Sequence, residues 1–247
     1  MATKTWNGSD GSFASDSGWS TQGAPASGDT AVITGGTVTA TGALPGALVI
    51  ALTSSNSSSP ELILSDATLA SSSQLNMTAA GTNATLRLRG AVDNQGAITA
   101  TGTSPGAAFI RIDDTSAGGA SKFLNTGTIL VSGTALQVVT FGANPGNQLE
   151  NNGLISVQNP GRTPQLAYMG VNLTGAGTVL LGIGVTFEAV RAVSAGQTFV
   201  FDTGLSGATT LRMDAGTLFN GSIAGFACAS TRPERSPWAL MRAPIAL

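Results

Sequence analysis

One short unit recurs along the chain and limits its possible folds more than any other feature. Each copy has a turn containing Asn or Thr, then a glycine, then a strand centred on Ile or Val: DNQGAITATG from Asp93, LNTGTILVSG from Leu124, ENNGLISVQN from Glu150, and the degenerate LTGAGTVLLG from Leu173. The glycines of successive copies are 31, 26 and 24 residues apart, at Gly96, Gly127, Gly153 and Gly177. Repeats of this length bury their apolar faces only by stacking on their neighbours. The unit therefore predicts a solenoid.

The strands after these turns alternate between apolar and polar residues, and no long window has a helical period. Asn beside Gly tolerates left-handed backbone, and stacked Asn side chains can form amide ladders. These patterns predict an all-β fold, a right-handed parallel β-helix of about seven to ten coils over residues 31–227. A β-sandwich built from hairpins is the alternative, because it also has many short strands.

Both ends of the chain differ from this repetitive body. Residues 1–30 are rich in turn formers yet carry Trp6, Phe13 and Trp19, which we interpret as large apolar plugs of an N-terminal capping segment. A sugar-stacking aromatic site is the alternative interpretation. Residues 228–247 hold the sole cysteine, Cys228, and three of the ten prolines. We expect this segment to be an irregular, divergent and disordered tail, or the product of a reading-frame change that truncated a longer protein.

The composition narrows the range of functions. With 11 basic and 13 acidic residues the chain offers no basic stripe for nucleic acid, and it has no histidine for acid–base or metal chemistry. A single cysteine provides neither a disulfide framework nor a thiolate cluster. No apolar run is long enough to span a membrane, and the opening MATKTWNGSD lacks the apolar core of a signal peptide. We expect no cofactor, no metal site and no membrane span.

Several segments resemble the repeat-rich β-helical surface adhesins of Gram-negative bacteria, of the autotransporter-passenger and filamentous-haemagglutinin kind. The resemblance rests on WNGSDGSF from Trp6, on PASGDTAVI from Pro25 with the GTVT that follows, and on the turn-strand units. The segment TLRMDAGTLFNGSIAGFA from Thr210 is also similar to their repeats, so the resemblance covers about residues 3–227. It implies a secreted or surface-displayed bacterial protein that attaches to surface glycans or other cell-surface molecules.

Two features suggest sites. Asp113 and Asp114 form the only adjacent carboxylate pair. In a glycan-active β-helix enzyme, a polysaccharide lyase or hydrolase, such clustered acids bind calcium or act as acid and base, and Arg111 would be the basic residue that meets an acidic sugar. We favour a turn in which an Asp bonds its own backbone. Hydroxyl-rich strands, such as AITATGTS from Ala97, suggest an ice-binding or glycan-binding face. Because their threonines follow no constant period in the sequence, we interpret them as solvated outer positions.

The sequence as a whole predicts a non-enzymatic extracellular stalk or adhesin segment. Stacked coils would form the stalk, and loops at 102–108 and 140–148 would project from it toward glycans. The outward arginines of the strands, Arg87, Arg89, Arg111 and Arg212, would keep the protein soluble and guard against pairing at sheet edges. A self-assembling filament is a further alternative, because an uncapped solenoid end exposes strand edges for end-to-end association.

Overall fold

The computed structural model describes residues 1–21, 23–103, 106–113, 118–133, 136–141, 146–159, 165–202, 208–214, 216 and 218–225. They form a short 3₁₀ turn at Asp16–Gly18 and twenty-three strands: β1 Thr3–Thr5, β2 Gly11–Ser12, β3 Thr30–Ile33, β4 Thr37–Ala43, β5 Val49–Thr53, β6 Glu61–Leu69, β7 Gln74–Ala80, β8 Ala84–Arg89, β9 Ala91–Asn94, β10 Ala97–Thr103, β11 Ala108–Asp113, β12 Lys122–Asn125, β13 Thr128–Gly133, β14 Leu136–Phe141, β15 Gln148–Asn151, β16 Leu154–Gln158, β17 Gln165–Met169, β18 Asn172–Thr174, β19 Thr178–Leu181, β20 Val185–Ala189, β21 Thr198–Phe201, β22 Thr210–Met213 and β23 Ser222–Ala224.

The strands stack coil upon coil as a β-solenoid of about 8 turns. One sheet has ten strands in the order β1-β3-β5-β7-β10-β13-β16-β19-β21-β23. A second sheet of thirteen strands forms the rest of the wall, with β6 pairing both with β8 and with β9. The pairings between these strands are parallel, as in β10 with β13. The prediction of an all-β parallel β-helix is confirmed, and the hairpin sandwich is wrong; the right hand of the helix stays a prediction.

The core runs through the solenoid as one apolar cluster of buried side chains. Successive strand residues point alternately into it and away from it, so that in β5 Ile50 and Leu52 are fully buried while Ala51 between them is not. Phe123, Phe187 and Phe199 are the largest fully buried side chains. Parallel stacking in register places like side chains above one another, which is how coils of about 25 residues share a continuous core.

The repeat glycines lie where neighbouring coils come closest. A Cβ added at Gly127 would lie 2.0 Å from the carbonyl oxygen of Gly96, and one at Gly153 would lie 2.1 Å from that of Gly127. Real Cβ atoms do not approach a backbone oxygen so closely, so only glycine fits at these turns. Glycine therefore recurs in the sequence because the backbone of one coil packs directly against the backbone of the next.

Buried amides stack directly beside these glycines as an asparagine ladder, Asn94, Asn125 and Asn151. The Asn94 Nδ2 donates to Asn125 Oδ1 at 2.7 Å, and the Asn125 Nδ2 donates to Asn151 Oδ1 at 2.8 Å. All three side chains are at most 1% exposed. The Asn125 amide thus bonds to a neighbour on either side inside the core, as the Asn-containing turns of the repeat predict.

At the degenerate fourth repeat, a glutamine side chain takes the place of the next asparagine of the ladder. Thr174 pairs with Glu150, so that Gly175 stands where the next Asn would be expected. Gln197, which is fully buried, fills the gap from farther along the chain. Its Oε1 accepts from Asn151 Nδ2 at 3.1 Å, and its Nε2 donates to the carbonyl oxygens of Asn151 and Thr174.

Removing the middle amide is expected to destabilise the fold. In Asn125→Ala, Asn94 Nδ2 loses its acceptor side chain and Asn151 Oδ1 loses its donor, and both groups stay buried. An unsatisfied buried polar group costs about 1–3 kcal/mol, so we expect a loss of about this size in the free energy of unfolding. Urea unfolding followed by circular dichroism measures it. The control Asn76→Ala removes a half-exposed amide and should change stability little; equal losses would contradict the role of the ladder.

The three aromatic residues near the N-terminus lie in the core, as the cap interpretation predicts. Trp6, Phe13 and Trp19 are 3%, 4% and 5% exposed. The Trp19 ring packs edge-on against the other two, with centroid distances of 5.0 Å to Trp6 and 5.2 Å to Phe13. Rings buried against each other offer no free face to a sugar. The sugar-stacking interpretation of these rings is therefore wrong.

This N-terminal segment also supplies strands of its own. β1 pairs with β3 and β2 pairs with β4, so parallel stacking begins before residue 31, where the sequence analysis placed the start of the β-helix. Asp29 ties the segment down by accepting hydrogen bonds from the backbone N–H groups of Ala2 and Ala26. These two bonds lower the pKa of Asp29. The division at residue 30 stays a prediction, and the predicted tail 228–247 lies outside the described residues.

Candidate functional site: an uncharged sheet face

The strands of the ten-stranded sheet carry no charged side chain that points outward. In its ten described strands the one charged residue is Lys4, which is buried and donates from Nζ to the carbonyl oxygen of Gly23 at 2.7 Å. Hydroxyl, amide and aliphatic side chains occupy the outward positions of the other nine strands. Ten strands spaced by about 4.8 Å make this surface, called here the uncharged face, about 45 Å long.

Charged side chains are instead found on the thirteen-stranded sheet. Lys122 bonds Glu150, which also accepts from Asn152 at 3.0 Å, and these hydrogen bonds lower the pKa of Glu150. The strands of this sheet carry the charged residues Glu61, Asp66, Arg87, Arg89, Asp93, Arg111, Asp113, Lys122, Glu150, Glu188 and Arg212. The two sheets of one solenoid therefore differ sharply in their outer chemistry.

Hydroxyl groups stand in register on the uncharged face. Thr53 pairs with Thr78, Thr78 with Thr101, and Thr101 with Ser132, on four neighbouring strands. The Thr101 and Ser132 hydroxyl oxygens are 3.1 Å apart and share a hydrogen bond. These threonines follow no constant period in the sequence, because the coils differ in length at their turns while the strands remain aligned. Their outward positions agree with the sequence interpretation of solvated outer residues. Linear spacing in the sequence therefore hides a row that the sheet brings together.

The predicted acidic site proves to be an ion-pair cluster. Asp113 is 4% exposed, and its Oδ2 accepts from Arg87 Nε. Arg89 Nε lies 3.8 Å from Oδ2 and Arg111 Nε lies 3.7 Å from Oδ1, while Glu61 Oε1 lies 3.4 Å from Arg87 Nη1. Asp113 is thus a buried carboxylate with three arginine side chains around it. Its predicted partner Asp114 lies outside the described residues.

Sequence reasoning paired Arg111 with Asp113 but missed Arg87, Arg89 and Glu61. One sequence signal could have found Arg87. The segments LRLR and IRID alternate in the same way about one coil apart, and the structure pairs Arg87 with Arg111 on neighbouring strands. The predicted role of guarding sheet edges is wrong for Arg87, Arg89 and Arg111, because β8 and β11 have neighbours on both sides. Arg212 does lie in β22, the last strand in the described order of its sheet.

Other predicted features concern loops, metals and membranes. The projecting loops at 102–108 and 140–148 fall partly outside the described residues, at 104–105 and 142–145. Among the residues that the structure describes, no group of three His, Cys, Asp or Glu side chains is placed to hold a metal ion. No helix in the same part of the chain is long and apolar enough to cross a membrane.

Comparison of the chain with models of protein families, with curated proteins and with solved structures finds no match. The resemblance of the sequence to bacterial surface adhesins is therefore an expectation carried by its motifs. What the structure adds is the solenoid itself and the contrast between its two outer surfaces.

Proposed function

We propose that this protein is a non-enzymatic stalk or adhesin segment, displayed outside a bacterial cell, that attaches to neutral surfaces such as glycans through its uncharged face. The observation that supports this most is the separation of charge: ten described strands present no outward charged side chain, while the other sheet carries many. In a chain of 247 residues with 24 charged ones, one long face without charge is a distinctive surface.

The chemistry of the face suits a neutral polar partner. Hydroxyl and amide groups offer donors and acceptors, and exposed aliphatic side chains such as Leu130 offer apolar contact. A strongly charged partner would lose hydration on such a face without gaining an ion pair. The enclosure of Asp113 among arginines is a second reason to prefer attachment over polysaccharide cleavage, which stays the alternative.

Attachment is tested by placing a charge on the face. Thr99→Lys adds an ammonium group at a half-buried outward position in β10, and we expect it to reduce retention on insoluble neutral polysaccharides at least about tenfold, because binding would bury that charge unpaired. A glycan array, polysaccharide pull-down and bacterial or host cell binding measure the effect.

The matched control is Thr186→Lys, which puts the same charge on a half-buried outward threonine of β20, beside Glu188 in the thirteen-stranded sheet. It should bind as the parent protein does. Equal loss in both variants, or no retention of the parent protein on any neutral surface, would reject the uncharged face as the contact surface. Release of sugar fragments by the parent protein would instead support the enzyme.

A further inference from the structure

The middle of the uncharged face carries a row of four hydroxyl groups, called here the hydroxyl row: Thr53, Thr78, Thr101 and Ser132. They belong to β5, β7, β10 and β13, four successive strands of the sheet. With a strand spacing of about 4.8 Å, the row is about 15 Å long and runs along the solenoid axis. Thr78 is exposed and the other three side chains are half-buried, so all four reach the surface.

A second row of side chains lies beside it, two residues earlier in each strand. Asn76, Thr99 and Leu130 are aligned there on β7, β10 and β13. Leu130 is 37% exposed, one of the few large apolar side chains in the described residues that reach the solvent so openly. An amide, a hydroxyl and an exposed leucine therefore flank the hydroxyl row on one side.

This pairing of rows matches the chemistry of a sugar chain. A pyranose ring presents hydroxyl groups at its rim and C–H groups on its faces, so it can hydrogen-bond to a line of hydroxyls while its apolar face contacts an aliphatic side chain. In an extended glycan each ring advances by roughly one strand spacing. Four aligned hydroxyls therefore offer one position for each of about four rings.

A second copy of this chain fits the same surface less well. Two such faces packed together would have to bury the hydroxyls and the Asn76 amide of both molecules, and each group without a new partner would cost free energy. A glycan brings its own donors and acceptors. The absence of charge on these ten strands also favours a neutral sugar chain over an acidic one.

We propose that the hydroxyl row, with Asn76 and Leu130, is a binding site for a neutral, extended oligosaccharide of about four sugar rings lying along the solenoid axis. This site rests on the proposed function, since it specifies what the uncharged face contacts.

The test is a length series. Titration calorimetry with neutral cello-oligosaccharides and xylo-oligosaccharides, from disaccharides upward, should show affinity rising to about four rings and then levelling off. Thr78→Val and Thr101→Val remove one hydroxyl each at nearly constant shape and keep a β-branched strand residue. Each should weaken binding of the tetrasaccharide by about fivefold, as expected for one lost hydrogen bond. The control Thr178→Val, on the same face in β19, should bind the tetrasaccharide as the parent protein does.

The outcomes separate the two proposals. If the protein is retained on neutral polysaccharides and Thr99→Lys abolishes this, while the Thr→Val variants bind every oligosaccharide as the parent does, attachment holds and the hydroxyl row is rejected. Tighter binding of oligogalacturonides than of neutral sugars would also reject it. Sedimentation showing a dimer that Thr99→Lys dissociates would assign the face to a second copy. No binding to any neutral surface would reject both proposals.

Discussion

Replacing Trp19 by alanine is expected to lower the free energy of unfolding by about 3–5 kcal/mol, the usual cost of removing a large buried aromatic side chain. Trp19 lies between Trp6 and Phe13, and its Nε1 donates to the Phe13 carbonyl oxygen at 3.0 Å. The variant therefore loses two edge-on ring contacts and one buried hydrogen bond at once. Because these rings cover the first coils, we expect unfolding to begin at this end of the solenoid.

Urea unfolding measured by tryptophan fluorescence and by circular dichroism tests this expectation. Phe109→Ala is the matched control, because Phe109 is an aromatic residue that lies half-buried on the outside of β11. It should cost clearly less than Trp19→Ala. An unchanged free energy of unfolding for Trp19→Ala would contradict the cap.

Replacing Gly127 by alanine is expected to destabilise the fold strongly, although the change adds only one methyl group. The new Cβ would lie 2.0 Å from the Gly96 carbonyl oxygen and 2.8 Å from the backbone of Gln95. Both contacts are with backbone, so no side chain can rotate away, and the coils must separate locally. We expect a loss of about 3 kcal/mol or more in the free energy of unfolding, at the upper end for overpacking.

Gly46→Ala is the matched control for this substitution. Its added Cβ would meet the Ser72 Oγ at 3.7 Å, an ordinary contact distance. Glycine-to-alanine replacements without strain change stability by less than about 1 kcal/mol, often favourably. Equal melting temperatures for the two variants would contradict the close stacking of the repeat turns.

The repeat unit predicts the architecture because its residues are the ones that fit where neighbouring coils stack on each other. Gly96, Gly127 and Gly153 are required by backbone contact between coils, and Asn94, Asn125 and Asn151 are required by buried amides that must satisfy each other. Both constraints act on the same turn of three successive coils, so they leave a visible signature in the sequence. The number of coils follows from the spacing of that signature.

The uncharged face is harder to predict, since it depends on register between strands joined by turns of unequal length. Thr78 and Thr101 are 23 residues apart and Thr101 and Ser132 are 31 residues apart, yet they are neighbours in the sheet. Gln197 is also hard to predict, because its hydrogen bond with Asn151 joins residues 46 apart in the sequence and has no counterpart in the repeat motif. Such contacts follow from three-dimensional stacking and leave no fixed interval in the sequence.

The asparagine ladder has a mechanical consequence for the stack of coils. Hydrogen bonds between coils lie along the solenoid axis, so a pull on its two ends would open them one coil after another. Each released coil would lengthen the chain by on the order of 80 Å, given the 26 residues that separate Asn125 from Asn151. The buried amides add a side-chain bond to every opening step in the middle of the rod. A solenoid built this way is expected to extend in stages when its two ends are pulled apart.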